Sequence, residues 1–148
     1  MFMRSIQSLC LIQSILMKTD LSNATFIIPI RIESDDRLRN VVTSIAFLVE
    51  NFDTNIIVKE VDKESVFQTE VLPIFEEILE VDLWKNFHHI FERSEEPLFH
   101  RQRVLNEMIA ECETDIVVNY DCDVILPMKS YELAYNGITE GIYDVVYP

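Results

Sequence analysis

Between Thr25 and Arg31 the chain reads Thr-Phe-Ile-Ile-Pro-Ile-Arg, a nearly unbroken apolar run of seven residues. A run this short and this uniform is expected of a parallel β-strand buried on both faces. That expectation constrains everything around it, because a strand covered twice needs helices above and below and parallel neighbours at its sides.

The flanking sequence supplies them. Ser34, with Asp35 and Asp36 behind it, reads as an N-cap and acidic first turn, after which apolar residues recur at Leu38, Val41, Val42, Ile45, Leu48, Val49 and Phe52. Asn55 to Val61 reads as a second strand. Val71 to Leu79, with Pro73 in the first turn, reads as a second helix carrying Ile74, Phe75, Ile78 and Leu79 on one side. His88 to Phe91 is a weaker third strand. Pro97 then introduces a helix with Val104, Leu105, Met108, Ile109 and Cys112, followed by a strand from Asp115 to Tyr120 and one more from Tyr143 to Tyr147. Strand alternating with helix predicts an α/β fold, a mostly parallel sheet with helices on both faces, Rossmann-like in its general plan.

At 148 residues and 49% hydrophobic content one core is expected, with residues 25–148 as a single domain and residues 1–24 as an N-terminal extension. Within that extension Ser5 to Met17 is apolar but interrupted by Gln7, Ser8, Gln13 and Ser14, too short to span a bilayer, and not followed by a small-residue cleavage site. Met17 is expected to serve as an alternative start, the preceding residues being a docked amphipathic helix or, as the rival reading, a membrane anchor.

Charge and cysteine use narrow the function. Twenty-six acidic against 12 basic residues give a formal charge of −14, which disfavours nucleic acid and anionic membrane as partners. Cys10, Cys112 and Cys122 are odd in number and lack CxxC spacing, so neither a disulfide framework nor a thiolate zinc site is indicated, and a cytoplasmic setting is expected. With Gly137 and Gly141 the only glycines, both GxGxxG and GxxxxGK[ST] are excluded.

An anionic ligand would therefore need a local device, and arginine provides one. Arg31, Arg37 and Arg39 follow the first strand; Arg93, Arg101 and Arg103 follow the third. In open α/β sheets ligands bind beyond the carboxyl ends of the strands, and the guanidinium fork suits phosphate. Arg31 and Arg101 are expected to face the ligand, whereas Arg37, Arg39 and Arg103 are read as solvated helix residues paired with nearby acids. Asp121-Cys122-Asp123 ends the strand from Asp115, and strand alternation would set the two carboxylates on one side with Cys122 on the other. Repulsion between them would be relieved by proton uptake or by a hard divalent cation. Cys122 is read as a small buried filler rather than a nucleophile, and His88, His89 and His100 lack the spacing of a helical metal pair. Among Glu60, Asp62 and Glu64, after the second strand, one is a candidate contact to a base or ribose.

From about Thr25 to Pro127 these motifs together resemble glycosyltransferases of the GT-A fold, especially family 2 enzymes and the related galactosyltransferases. FIIPIRIESDDRLRN is similar to their first strand and nucleotide loop, in which Pro-x-Arg lies along the nucleotide; Pro29, Ile30 and Arg31 stand there. NIIVKEVDKES is similar to the second strand, whose acidic end, here Glu60 and Asp62, often meets the uracil ring. In PLFHRQRVLNEMIAECETDIVVNYDCDVILP, Phe99, Arg101 and Asn106 fit a Phe-x-Arg that touches the nucleotide and the Asn five residues after it. The resemblance implies that Asp121 lies near ribose and metal, that Asp123 is the main ligand of Mn²⁺ or Mg²⁺, and that Cys122 lies between them at the nucleotide sugar. Two features depart from the pattern: Glu107 stands where glycine commonly follows the Asn, and the segment that in the family carries the acceptor site and catalytic base is not represented. The expected activity is metal-dependent transfer of a sugar from a nucleotide donor, UDP-linked, to a hydroxyl acceptor. The rival is a non-catalytic or truncated module that binds nucleotide sugar or a partner protein. A phosphohydrolase with Asp121 as nucleophile is disfavoured, because that chemistry wants its DxD after the first strand with Ser or Thr close behind, and Val124-Ile125-Leu126 offers neither.

Overall fold

The computed structural model describes residues 17–79 and 85–147; the expected extension and its membrane-anchor rival, residues 1–16, lie outside them. Along the chain come β1 (Thr19–Ile30), α1 (Asp35–Asn51), β2 (Phe52–Asp62), a wide π-helical turn (Phe67–Val71) running into α2 (Leu72–Ile78), β3 (Phe87–Arg93), α3 (Arg101–Ala110), β4 (Ile116–Asn119) and α4 (Met128–Thr139). The four strands form one parallel sheet in the order β3-β2-β1-β4, the α/β arrangement expected.

Alternation along the central strands divides the core into two layers. Phe26, Ile28 and Ile30 of β1 and Ile56 and Val58 of β2 face α1, α2 and α4, where they meet Ile45, Leu48, Phe75 and Tyr131. Ile27, Ile57 and Val61 face the opposite way, onto Val104, Leu105 and Met108 of α3. Helices therefore cover both faces, and each fully buried Ile, Leu or Phe contributes about 1.5–3 kcal/mol of burial. Helix α1 starts where its cap residue predicts: the Ser34 side chain accepts from the Arg37 N–H at 3.3 Å.

Several boundaries differ from expectation. Strand β1 begins at Thr19 rather than Thr25, so residues 19–24 belong to the fold and not to an extension. The polar sequence there hides the strand, which is tied down by side chains: Thr19 Oγ1 donates to Glu132, Asn23 Nδ2 to Asp115 at 3.1 Å, and the Ser22 N–H to Asp20 at 2.9 Å. Phe52, expected on the stripe of α1, instead opens β2 and stays buried by stacking near Phe26. Helix α4 had no counterpart in the sequence reading, and the strand expected from Tyr143 to Tyr147 does not form. At the end of α4 Gly141 adopts φ 70°, and the Ile142 and Tyr143 N–H groups both return to Gly137 O. Tyr143 is thereby folded back on the helix, so close that a Cβ on Gly137 would stand 2.8 Å from its ring. Among the described residues no helix is long and apolar enough to cross a membrane.

Candidate functional site

The order of the sheet reverses at β1, which continues through α1 to β2 on one side and has β4 on the other. A crevice opens at such a reversal, beyond the carboxyl ends of the two strands. Here it is a cavity of about 480 Å³. Pro29, Ile30 and Arg31 enter it from the end of β1, Phe99 and Arg101 from the approach to α3, and Asp121, Cys122 and Asp123 from the loop after β4. Three segments remote in sequence, each singled out by its residues, thus share one wall.

Arg31 is 8% exposed, and its guanidinium is held from behind. Nε donates to Val61 O at 2.8 Å and Nη1 to Glu96 O and Pro97 O at 3.2 Å, while the carbon of the fork lies 5.5 Å from the centre of the Phe99 ring. Its buried Nη2 has no partner among the described residues. An unpaired donor on a buried cation is costly, and a ligand oxygen would satisfy it. Arg31 is therefore a clamp across the tops of β1, β2 and the 94–97 loop.

The Asp121–Asp123 segment reaches the cavity by a different route from the one expected. Strand β4 ends at Asn119, and a turn closed by the Val124 N–H on Asp121 O at 3.3 Å replaces strand alternation. Both aspartates still line the cavity. The turn is fastened from outside: Ser44 Oγ donates to Cys122 O at 2.5 Å, Tyr120 OH to Val124 O at 2.7 Å, and the Leu126 N–H to Tyr131 OH at 3.1 Å. Cys122 packs its side chain against the core, where burial, helped by the charges of Asp121 and Asp123, pushes its thiol up to about 12. It is a neutral filler at physiological pH, as expected.

Asp121 is not alone: Arg101 Nη2 lies 2.5 Å from its Oδ1 and 3.0 Å from Asn119 Oδ1. Asp123 has no side-chain partner among the described residues. No group of three or more His, Cys, Asp and Glu side chains gathers as a metal set among the described residues.

Other expectations are redistributed. Arg37, read as a solvated helix residue, lines the cavity together with Asn40 and Val41, and its Nη1 approaches Arg31 O at 3.5 Å. Its place could have been read from the sequence, since it lies in the first turn of the helix that follows β1 and Arg31. Arg39 pairs with Asp36, and Arg103 with Glu92 and Glu107 at 2.7 and 2.8 Å, as solvated helix residues do. Glu60 is not brought to the cavity. Its carboxylate is fully buried, accepting from Ser65 Oγ at 2.5 Å and from the Phe67 N–H at 3.1 Å. His89 Nε2 lies 3.3 Å away, close enough to attract but not aligned as a hydrogen bond, with its ring stacked on Phe67. Asp62 accepts from the Lys63 N–H, and Asn106 accepts from Gln102 on the exposed side of α3; neither lines the cavity. The Glu60 carboxylate near the end of β2 thus caps the π-helical turn and stands apart from the cavity lining.

No protein-family model and no curated protein matches the chain.

Proposed function

We propose that the chain is the nucleotide-sugar-binding part of a metal-dependent glycosyltransferase, acting on a UDP-linked donor and a hydroxyl acceptor. The observation that carries this reading is the convergence of Pro29-Ile30-Arg31, Phe99-x-Arg101 and Asp121-x-Asp123 on one cavity at the reversal of sheet order. The resemblance to GT-A enzymes concerns these same three segments.

Two hard-oxygen carboxylates at the cavity suit Mg²⁺ or Mn²⁺, which are commonly held by one or two carboxylates with the remaining positions left to phosphate and water. Asp121 and Asp123 would hold the ion, and its chemistry would be to neutralise charge on the departing diphosphate. The protein's own contribution is orientation. Arg31, Arg37 and Arg101 line the cavity and would offer donors to phosphate oxygens, and Phe99 offers a flat apolar surface beside them. The rival reading is a module that binds nucleotide sugar and completes no transfer.

Thermal melting and calorimetry with UDP, UDP-sugars and Mn²⁺, with and without chelator, test the proposal. Mn²⁺ should raise the melting temperature, UDP should raise it further, and Asp123→Asn should lose most of both effects without losing the fold. Equal stabilisation of Asp123→Asn and the parent would remove the metal from the site. Metal-dependent binding without sugar transfer would favour the module.

A further inference from the structure

We propose that Arg101 is the resident counter-cation of Asp121, standing where a divalent ion would bind until a diphosphate draws the guanidinium away, so that ion and diphosphate enter this site together. The inference rests on the metal reading above and adds a coupling to it. Its basis is the fork of contacts already described: one guanidinium nitrogen shared between Asp121 Oδ1 at 2.5 Å and Asn119 Oδ1 at 3.0 Å.

A cation that used this oxygen of Asp121 would meet a positive group already seated on it. An ion on Oδ1 would lie a few ångströms from the guanidinium, and like charges that close repel. The guanidinium is also easily moved. Its side chain is 41% exposed and that of Asp121 is 63% exposed, so the pair is of the solvent-accessible kind whose net attraction is small. A diphosphate offers the same guanidinium several charged oxygens in a geometry that accepts two parallel hydrogen bonds. Arg101 therefore has a weak partner within the protein and a stronger one in the ligand, and both lie on the cavity wall. Asn119 completes the device: it is a neutral acceptor, which steadies the guanidinium without adding a charge that would hold it back. Asp123, without a side-chain partner among the described residues, remains ready for the ion throughout.

By linkage, whatever factor diphosphate contributes to ion affinity, the ion returns to diphosphate affinity. Mn²⁺ also associates with diphosphate directly in solution, so mutual enhancement alone would not identify Arg101. Substitution does. Mn²⁺ binding is measured by the loss of the free-ion electron paramagnetic resonance signal, in phosphate-free buffer, with and without inorganic pyrophosphate, for the parent, Arg101→Gln and Arg103→Gln. Arg103 lies two residues further along α3 and engages Glu92 and Glu107 instead, so its replacement removes the same charge without touching Asp121. Arg101→Gln should bind Mn²⁺ alone about three- to tenfold more tightly than the parent, bind pyrophosphate more weakly, and show little enhancement of one by the other. Arg103→Gln should stay within about twofold of the parent. An unchanged or weaker Mn²⁺ affinity in Arg101→Gln, while the parent binds the ion, would overturn the proposal and leave the metal site standing. An equal gain in both variants would overturn it in favour of general charge. Absence of Mn²⁺ binding from all three proteins, even with pyrophosphate, would overturn both the coupling and the metal reading.

Discussion

Replacing Arg31 by Met keeps an unbranched side chain of similar length in a buried slot while deleting every donor that makes the clamp. Three carbonyls then lose a charged partner: Val61 O, Glu96 O and Pro97 O. A hydrogen bond from a charged group contributes about 1.5–3 kcal/mol, and three on one guanidinium do not add. Loss of the unpartnered Nη2 works the other way, since burying a donor without a partner costs about 1–3 kcal/mol. The balance is a net destabilisation of about 2–4 kcal/mol, a large part of the stability of a small domain. In urea unfolding followed by circular dichroism, the midpoint should fall with the slope unchanged, and the melting temperature should drop by roughly 10 °C. Arg31→Lys, which keeps the charge but not the fork, should fall between parent and Met. A loss below about 1 kcal/mol for Arg31→Met would refute the clamp and return Arg31 to a purely ligand-facing role.

Burial works against the charge of Glu60, but the His89 contact and the hydrogen bonds from Ser65 and the Phe67 N–H outweigh it and hold the carboxyl below its ordinary 4.5. A depressed carboxylate stabilises the fold fully above the unfolded value and ceases to as pH falls through the folded one, so the parent should lose stability below about pH 4.5. Glu60→Gln should be less stable at neutral pH and show a flatter acid limb in pH-dependent melting; a limb as steep as the parent's would assign the acid sensitivity elsewhere. Tyr131→Phe leaves the Leu126 N–H without its acceptor and should cost about 1–3 kcal/mol, with faster amide exchange across residues 121–126. Unchanged exchange there would mean that Ser44 and Tyr120 suffice to hold the turn. With its thiol pushed up by burial, Cys122 stays protonated at pH 7.5 and should resist iodoacetamide in peptide mapping by mass spectrometry. Rapid labelling would show that the turn opens.

The parts of the fold legible in the sequence are those written in apolar period and caps. TFIIPIR, the Ser34 cap with its Val41, Ile45, Leu48 and Val49 stripe, and the Val104, Leu105 and Met108 cluster all carry their burial in local pattern. Residues 19–24 do not, because their strand is held by side-chain hydrogen bonds to partners as distant as Glu132 and Asp115. Helix α4 is poorly legible although Tyr131, Ala134, Tyr135 and Ile138 sit at helical spacing, since tyrosine and glycine in that stretch suggest strand and turn as readily. At the site, Arg31, Arg101 and the two aspartates were legible as residue types following strands. The pairing of Arg101 with Asp121 and the burial of Glu60 were not, being decided by which side chains meet across segments.

Asn23 on β1 and Asp115 before β4 are hydrogen-bonded across 92 positions of sequence, and the cavity opens beyond the carboxyl ends of these same two paired strands. Such a cavity cannot preform in a fragment of the chain. Closing so long a loop costs entropy that is recovered only when β4 adds to a sheet that already contains β1, so completion of the site is expected among the later events of folding. The relation also runs backwards. A ligand that touches both Arg31 and Asp123 would hold the ends of that loop together, and its affinity should appear as resistance to the detachment of β4. Limited proteolysis between α3 and α4 should then report occupancy of the cavity, slowing as the site fills, even where the cut lies far from any atom the ligand meets.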